Sequence, residues 1–256
     1  MKLIRYKNLI NKSISNGILE VDKIFPLLND PFSKNLQINY DEAIPFDSRL
    51  IEAPCLPTKI IALAINYKGS TGITSSMSEP LVFLKSTNAV SSFNQPVRLP
   101  FTSNTWGEAE LGVVIGKTTS SKIPISDVKS YILGYLAAND VSCDNVDNRD
   151  HHLARSKSAD GFCPLGQYID TDYDFHNKEI TAYHNDILLR KGNTNEMIWN
   201  PEKIVIWLSN WMTLYPGDII ITGTPSRVRD RKFLKNGDTF TVKIEGLPDL
   251  LTSFYE

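Results

Sequence analysis

The chain has 256 residues, of which 41% are hydrophobic and 22% charged, a composition typical of a globular protein and unlike that of a disordered chain, a coiled coil or a collagen-like repeat. Its 27 basic and 29 acidic side chains give a net charge of −2, so no overall charge favours nucleic acid or an anionic lipid surface. The longest purely apolar runs are about six residues, far below the roughly 18 needed to span a bilayer. We therefore expect neither a nucleic-acid nor a membrane partner.

Cysteine use and the first residues favour a cytoplasmic location. Cys55, Cys143 and Cys163 show no paired spacing and suit reduced thiols better than a disulfide framework. The opening Met-Lys-Leu-Ile-Arg-Tyr contains no apolar stretch that would act as a signal peptide.

Two units are predicted along the chain. Strand-like pieces at Lys2–Tyr6 and Gly17–Val21 precede a polar stretch, and the prolines of Ala53-Pro-Cys-Leu-Pro57 break regular structure, because each proline biases its predecessor toward extended conformations. We predict a small N-terminal subdomain over residues 1–57 and a larger domain over 58–256.

The larger domain reads as many short strands with few helices. Its apolar or alternating segments predict strands at Lys59–Asn66, Leu81–Lys85, Glu108–Gly116, Asp218–Thr222 and Thr239–Glu245. Apolar residues at helical spacing predict helices at Ser126–Ala138 and Pro201–Thr213. Without regular alternation of strands and helices, the fold class is α+β and mainly β.

A pair of glutamates opens the strand predicted at 108–116. Side chains two apart on a strand point to the same face, so Glu108 and Glu110 project together. In a partly buried site, one of two adjacent carboxylates must be protonated or a cation must neutralise them. Hard oxygen ligands suit Mg²⁺, Ca²⁺ or Mn²⁺. The alternative is a solvent-exposed pair at a sheet edge.

Three further features strengthen the hypothesis of a metal site. Asp140 ends the apolar stretch 131–140 and would supply a third ligand, although it also suits an ordinary turn. Lys157 would act as a general base if a bound cation lowered its pKa, although most lysines are simply solvated. The turn Thr222-Gly-Thr-Pro225 exposes N–H groups and a hydroxyl to a substrate carboxylate, unless it is an ordinary tight turn.

These residues belong to segments that follow one another in a characteristic order: Asn66-Tyr67, Glu79-Pro-Leu-Val-Phe-Leu-Lys85, Glu108-Ala-Glu-Leu-Gly-Val-Val-Ile-Gly-Lys117, Gly134-Tyr135, Asn139-Asp-Val-Ser142, Lys157 with Asp160-Gly-Phe-Cys-Pro-Leu-Gly166, and Pro216-Gly-Asp-Ile-Ile-Ile-Thr-Gly-Thr-Pro225. The set resembles the fumarylacetoacetate hydrolase family over roughly residues 59–250. It is most similar to the bacterial branch that contains 2-hydroxyhepta-2,4-diene-1,7-dioate isomerases and 5-carboxymethyl-2-oxo-hex-3-ene-1,7-dioate decarboxylases.

The resemblance implies a catalytic domain with a rolled, mixed β-sheet, usually assembled as a homodimer. It implies Mg²⁺ or Mn²⁺ held by Glu108, Glu110 and Asp140, and catalytic roles for Lys157 and Thr224. It assigns substrate contact to Asn66, Tyr67, Lys85, Gly223 and Thr224. The expected substrate is a 2-oxo acid or β-diketo acid, which family members hydrolyse at a C–C bond, decarboxylate or isomerise through a metal-bound enolate.

The chain departs from the family at positions where many members carry the residues that activate water. Ser70 and Ile73 stand where many members carry a histidine and a glutamate on a mobile lid, and Asp144 and Asp147 replace a common arginine and glutamine. The polar segment 144–152 either rebuilds the missing base with His151 or His152, or is an exposed loop. These departures favour decarboxylation or isomerisation slightly over hydrolysis. The alternative is a member that binds metal and oxo acids without turnover.

Overall fold

The computed structural model describes residues 1–9, 12–69, 77–119 and 121–256. Strands in this part of the chain are β1 (Lys2–Lys7), β2 (Ile14–Glu20), β3 (Lys23–Pro26), β4 (Ile44–Pro45), β5 (Ile51–Glu52), β6 (Ile60–Ala64), β7 (Leu81–Lys85), β8 (Val90–Ser91), β9 (Val97–Arg98), β10 (Thr105–Trp106), β11 (Ala109–Ile115), β12 (Ile132–Asn139), β13 (Ser142–Cys143), β14 (Cys163–Pro164), β15 (Ile169–Asp170), β16 (Glu179–His184), β17 (Ile187–Asn193), β18 (Ile219–Ile221), β19 (Thr239–Ile244) and β20 (Leu250–Tyr255). The α-helices are α1 (Ala154–Lys157) and α2 (Pro201–Ser209), and short 3-10 helices lie at Ser48–Leu50, Thr87–Ala89, Val128–Tyr131, Val146–Asn148 and Thr194–Glu196. Within the described ranges, no helix combines the length and apolar character that crossing a bilayer requires.

The strands form mixed sheets, as the α+β, mainly β class predicts. The largest sheet among the described residues has eleven strands in the order β4-β3-β2-β1-β15-β12-β11-β18-β6-β7, with β5 paired to β1. A second sheet runs β17-β16-β19-β20-β9. Most neighbours are antiparallel, whereas β18 and β6 are parallel. The central strands β11 and β18 are buried along their whole length, which places the core between the sheets.

The first 52 residues extend the large sheet. Strand β1 pairs with β15, so β1 to β4 continue the sheet outward from the central strands. Ile4, Tyr6, Leu19, Ile24 and Ile51 of this region form a small apolar cluster together with Tyr168 from the larger predicted domain. The domain boundary at residue 57 stays a prediction.

The helix predicted at Ser126–Ala138 is wrong. Residues 128–131 form a 3-10 turn, and 132–139 form strand β12, between β11 and β15. A strand covered on both faces shows no alternation of polar and apolar residues, so its Leu and Ala residues mimic a helix. Gly134 fits the strand because an added Cβ would collide with the backbone carbonyl of Asp170.

The second predicted helix exists but is shorter. Helix α2 begins after the N-cap Asn200, whose side chain accepts from the N–H of Lys203, and it ends at Ser209 rather than Thr213. The last turn closes early because the N–H of Asn210 bonds to the carbonyl of Trp207.

Candidate active site

Sheet topology brings the predicted metal ligands to one edge. Strand β11 is antiparallel to both β12 and β18, so the beginning of β11 lies beside the ends of its two neighbours. Glu108 and Glu110 lie at this beginning, and Asp140 directly follows β12, where its N–H donates to the carbonyl of Glu108 at 2.9 Å. One carboxylate oxygen from each of the three residues lies within 4.8 Å of the others.

The three carboxylates fit a divalent cation. Glu110 is only 2% exposed and Asp140 only 1%. Burial raises the pKa of Glu110 well above its ordinary value, and the neighbouring carboxylates Asp140 and Glu108 raise it further. Three acids this close repel one another, and a bound cation would relieve that repulsion with the oxygen ligands that Mg²⁺, Ca²⁺ and Mn²⁺ prefer.

Two lysines contact Asp140 from opposite sides. Lys157 Nζ lies 2.5 Å from Asp140 Oδ2, 2.6 Å from Ser142 Oγ and 3.4 Å from Glu108 Oε2. Lys85 Nζ lies 2.6 Å from Asp140 Oδ1. Burial alone would raise the pKa of Asp140, but the two ammonium groups outweigh it and lower that pKa.

The carboxylates also determine the charge on Lys157. Burial acts to lower its pKa, but Asp140 and Glu108 raise it above the ordinary value. In the metal-free protein Lys157 is therefore a firmly held ammonium ion. Its expected action as a base concerns a site with a cation bound, and that stays a prediction.

The Thr222-Gly-Thr-Pro225 turn follows β18 and closes the same edge. The N–H of Gly223 donates to Glu110 Oε2 at 2.6 Å. Gly223 has a φ of +84°, and an added Cβ would lie 3.2 Å from the carbonyl of Leu63, so the turn requires glycine. Thr224 Oγ1 is buried and has no hydrogen-bond partner among the described residues.

A cavity of about 1080 Å³ opens over the carboxylates. Glu108, Glu110, Asp140, Lys157 and Thr224 all line it, so the structure brings together the predicted metal ligands and catalytic residues. The other four predicted substrate-binding residues, Asn66, Tyr67, Lys85 and Gly223, do not line this cavity.

Those four residues lie behind the cavity wall. The side-chain amide of Asn66 bonds the carbonyl of Thr222 at 2.8 Å and both backbone groups of Trp199. Tyr67 is buried, and burial followed by the charge of Glu110 raises the pKa of its hydroxyl well above normal. Lys85 and Gly223 hold Asp140 and Glu110 respectively. Direct contact of these residues with a substrate stays a prediction.

Sequence reasoning did not find Arg190, on strand β17. Its guanidinium donates to Glu108 Oε1 at 2.7 Å and to the carbonyl of Pro225 at 2.6 Å, joining the metal-ligand cluster to the turn. No sequence motif marks this residue, because its position depends on how the second sheet packs against the first. The sequence does mark other basic residues of the cavity. A basic run follows Pro225 directly, and its residues 226–232 all line the cavity.

Asp144 and Asp147, which depart from the family pattern, and the two histidines of segment 144–152 do not line the cavity. His151 and His152 are exposed. Asp144 bonds Asn104 at 2.8 Å, and Asp147 pairs with Arg149. Ser70 and Ile73 lie outside the described residues.

Comparison with known proteins identifies the family. Residues 59–254 match the family described as fumarylacetoacetate (FAA) hydrolase C-terminal, and the chain belongs to this family. A 5-carboxymethyl-2-hydroxymuconate delta-isomerase from Mycobacterium smegmatis has a similar structure, with a TM-score of 0.88 and 30% identity over 100% of this chain and 99% of that one. A 2-hydroxyhepta-2,4-diene-1,7-dioate isomerase from Mycobacterium marinum superposes with a TM-score of 0.86 and 29% identity, over 100% of this chain and 98% of that chain.

A further relative is named for a different reaction. The mitochondrial oxaloacetate tautomerase Fahd2a of Rattus norvegicus is 34% identical over 202 residues, which cover 75% of this chain and 64% of that protein. The predicted fold, family and branch are thus confirmed, and the chain is an enzyme of a family whose named members catalyse several reactions.

Proposed function

We propose that this protein is a divalent-metal-dependent enzyme that isomerises or decarboxylates a 2-oxo acid or β-diketo acid. One observation carries the proposal: Glu108, Glu110 and Asp140 meet beside Lys157 at the base of a cavity. The names of the similar isomerases and of the tautomerase support enol and keto chemistry.

Glu108, Glu110 and Asp140 would hold the cation. A divalent cation bound there would supply the positive charge that stabilises negative charge on the keto oxygen of a 2-oxo acid. Gly223 and Lys85 each orient one of these ligands through a 2.6 Å hydrogen bond. Asn66 fixes the turn from behind by bonding the carbonyl of Thr222. We assign these three residues to positioning roles.

Lys157 is placed to hold and move the proton that enol–keto isomerisation requires. In that reaction one proton leaves the enol oxygen and one joins the neighbouring carbon, without oxidation or reduction. The ammonium of Lys157 is fixed by Asp140 and Ser142 at the cavity wall, from which we expect it to reach a substrate bound at the carboxylates. Thr224 Oγ1, which has no partner in the described structure, would hydrogen bond a substrate oxygen.

The cavity favours these reactions over hydrolysis of a C–C bond. Hydrolysis needs a base that activates water, commonly histidine or a carboxylate outside the metal-ligand set. Among the described residues that line the cavity there is no histidine, and the acid outside the ligand set is Asp230, which is exposed. The sequence of residues 70–76, Ser-Thr-Gly-Ile-Thr-Ser-Ser, supplies neither histidine nor an acid.

The reaction test uses oxaloacetate and an acylpyruvate with protein and Mn²⁺, followed by enol absorbance and by NMR of the products. Isomerisation yields the keto form, decarboxylation of oxaloacetate yields CO₂ and pyruvate, and hydrolysis of the acylpyruvate yields two acids. We expect one of the first two. Hydrolysis alone would refute the preferred reaction, and saturable binding without product would support the alternative of a turnover-deficient member.

The metal test compares Mn²⁺ titrations of wild type and Glu108→Gln. We expect the variant to lose affinity at least tenfold, because a neutral amide is a poorer ligand for a hard cation. Glu179→Gln is the control, since Glu179 is a half-exposed glutamate that forms a surface ion pair with Lys191 and does not line the cavity. Equal affinity in all three proteins would refute the metal site.

We further propose Mg²⁺ or Mn²⁺ as the cation, a homodimer as the assembly and the cytoplasm as the location. The oxygen-only ligand set supports the choice of cation. Three buried free thiols support a reducing compartment, and burial raises the pKa of Cys55 and Cys163 to about 12. Sedimentation velocity tests the assembly, for which a monomer at micromolar concentration would contradict the proposal.

A further inference from the structure

A run of basic residues forms the cavity wall next to the metal-ligand cluster. The segment Ser226-Arg-Val-Arg-Asp-Arg-Lys232 directly follows the Thr222–Pro225 turn and carries four cations and one acid. All seven residues line the cavity that contains Glu108, Glu110 and Asp140. The cavity is therefore lined by the acidic metal-ligand residues on one part of its surface and by basic residues on another.

The second sheet holds this segment in place. The N–H of Val228 donates to the carbonyl of Leu189 at 2.8 Å, and Arg227 pairs across an isolated bridge with Arg190. Arg190 in turn bonds the carbonyl of Pro225. The segment is thus anchored to β17 at its beginning, which directs it along the cavity rather than away from it.

Arg231 is anchored beside the metal-ligand cluster. Its guanidinium lies 3.9 Å above the ring of Trp106, two residues before Glu108. Its Nε is buried and has no hydrogen-bond partner among the described residues. A planar guanidinium held on an aromatic face keeps its donors in a fixed plane.

The four cations of this wall, Arg227, Arg229, Arg231 and Lys232, form no ion pairs among the described residues. Burial lowers the pKa of Arg231, Glu108 offsets this in part, and repulsion from Arg227 and Arg190 adds to the lowering. The wall therefore carries positive charge that no described ion pair neutralises.

We propose that Arg227 and Arg231 are specificity-determining residues that bind a second carboxylate, at the far end of a 2-oxo acid whose first carboxylate lies at the metal ligands. The inference rests on the proposed function. A guanidinium binds a carboxylate through two parallel hydrogen bonds, and Arg190 already makes a guanidinium–carboxylate contact with Glu108 in this cavity. A carboxylate carries less charge than a phosphate and is repelled less by the acidic ligands nearby.

The test measures binding of 2-oxo acids to the Mn²⁺-loaded full chain by calorimetry. The ligands are matched pairs with five, six and seven carbons, in which the tail ends in a methyl group or in a carboxylate, such as 2-oxopentanoate and 2-oxoglutarate. We expect wild type to bind the best diacid about tenfold or more tightly than its monoacid partner. The preference should fall as salt concentration rises.

Variants of the two arginines test whether these residues cause the preference for diacids. Arg227→Met and Arg231→Met should each reduce the preference for the diacid, and the double variant should abolish it, while monoacid affinity changes less than about twofold. Arg227→Glu should reverse the preference, and because Arg227 is exposed this variant should fold normally. Arg49→Met removes the same charge from a residue paired with Asp47 outside the cavity, and it should keep the full preference.

The outcomes separate this inference from the function on which it rests. Equal affinity for mono- and diacids at every length, or a preference that survives in the double variant, overturns the inference and leaves the proposed function intact. Displacement of the diacid by inorganic phosphate at equal concentration would show a general anion site and would also overturn it. Failure of wild type to bind any of these acids would overturn both.

Discussion

Two buried acidic sites lie near the two ends of strand β18, and they are built in opposite ways. Asp218 precedes the strand, and its side chain is fully buried. It accepts from the hydroxyl of Thr58 at 2.6 Å, from the ammonium of Lys59 at 2.6 Å and from the N–H of Tyr215 at 2.8 Å. Backbone N–H groups of Thr58 and Lys59 add two more donors.

The site beyond the other end of β18 has three carboxylates instead of one. Among the described residues, Glu110 accepts one backbone N–H and has no ion pair, although it is almost fully buried. Asp218 has five local donors and does not line the cavity that contains the three carboxylates, which is the pattern of a structural carboxylate. Glu110 is under-satisfied, and the three carboxylates line the cavity, which is the pattern of a ligand set. Donor count and cavity access, rather than burial, distinguish the two.

Removing the lysine from each site should give the largest difference in turnover between the two sites. For Lys157→Met we expect turnover to fall roughly a thousandfold, about 4 kcal/mol in the activation barrier, because the ammonium held at the cavity wall is lost. Mn²⁺ affinity should remain, since the three carboxylates are unchanged. Steady-state kinetics and metal titration measure the two effects.

Lys59→Met is the matched control for that experiment. Lys59 pairs with Asp218 at 2.6 Å but does not line the cavity. Its loss should lower the free energy of unfolding by about 1–2 kcal/mol and leave turnover of the folded protein unchanged. Full activity in Lys157→Met would contradict the catalytic role of Lys157.

Neutralising Asp218 tests whether this carboxylate stabilises the fold. For Asp218→Asn we expect the free energy of unfolding to fall by about 3 kcal/mol, because an amide oxygen cannot satisfy five donors and the ammonium of Lys59 loses its partner. Denaturant unfolding measures this loss. Asp249→Asn, at a half-exposed acid paired with Lys243, should change stability by less than about 0.5 kcal/mol. Equal effects of the two variants would show that the donors around Asp218 contribute little.

Replacing Glu110 by its amide should have the opposite effect on stability from replacing Asp218. In the metal-free protein we expect Glu110→Gln to raise the free energy of unfolding by about 1 kcal/mol, because wild type must take up a proton at Glu110 on folding, whereas the amide is neutral without one. Asp140 and Glu108 can accept from the new amide. The stabilisation that Mn²⁺ gives wild type should shrink, which thermal unfolding with and without Mn²⁺ records.

The pH dependence supplies an independent check on Glu110. Its folded pKa is raised, so the folded state holds a proton that the unfolded state releases, and stability is lost as pH rises from about 4.3 toward the folded pKa. Glu110→Gln should lack this loss, so its advantage over wild type should grow with pH. An advantage that is constant with pH would contradict the assignment.

Much of this comparison can be predicted from the sequence. The spacing of Glu108 and Glu110 places both on one face of a strand because that periodicity is local. The joining of Asp140 and Thr224 to them depends on strand order, which no local pattern determines, and it was supplied by resemblance to a family. The helix predicted at 126–138 failed because a doubly covered strand has no alternation to detect.

Other parts of the site were beyond the sequence for a different reason. Arg190 reaches Glu108 from the second sheet, and the packing of two sheets leaves no trace in a short motif. Asn66 and Tyr67 were predicted to contact substrate, yet neither lines the cavity, and Asn66 instead bonds the carbonyl of Thr222. A motif shows that a residue type matters but does not show whether it faces the substrate or supports a neighbour that does.

Asp238 extends the comparison to a partly exposed carboxylate and carries the smallest expected effect. It bonds His184 Nε2 at 2.9 Å, Asn185 Nδ2 at 2.6 Å and the N–H of Lys235 at 2.8 Å. Burial acts to raise its pKa, but these hydrogen bonds lower it overall. Asp238 therefore belongs to the satisfied type represented by Asp218. We expect Asp238→Asn to lower the free energy of unfolding by about 1 kcal/mol near pH 7.

The sign of the pH dependence is the sharper measurement for Asp238. A lowered folded pKa stabilises the protein above the unfolded value of about 3.9, and that contribution is lost as pH falls through the folded pKa. The difference between wild type and Asp238→Asn should therefore narrow as pH drops below about 4, the reverse of the trend at Glu110. If both acids showed the same trend in denaturant unfolding from pH 3 to 8, hydrogen-bond donors would not be what separates structural carboxylates from the metal-ligand set.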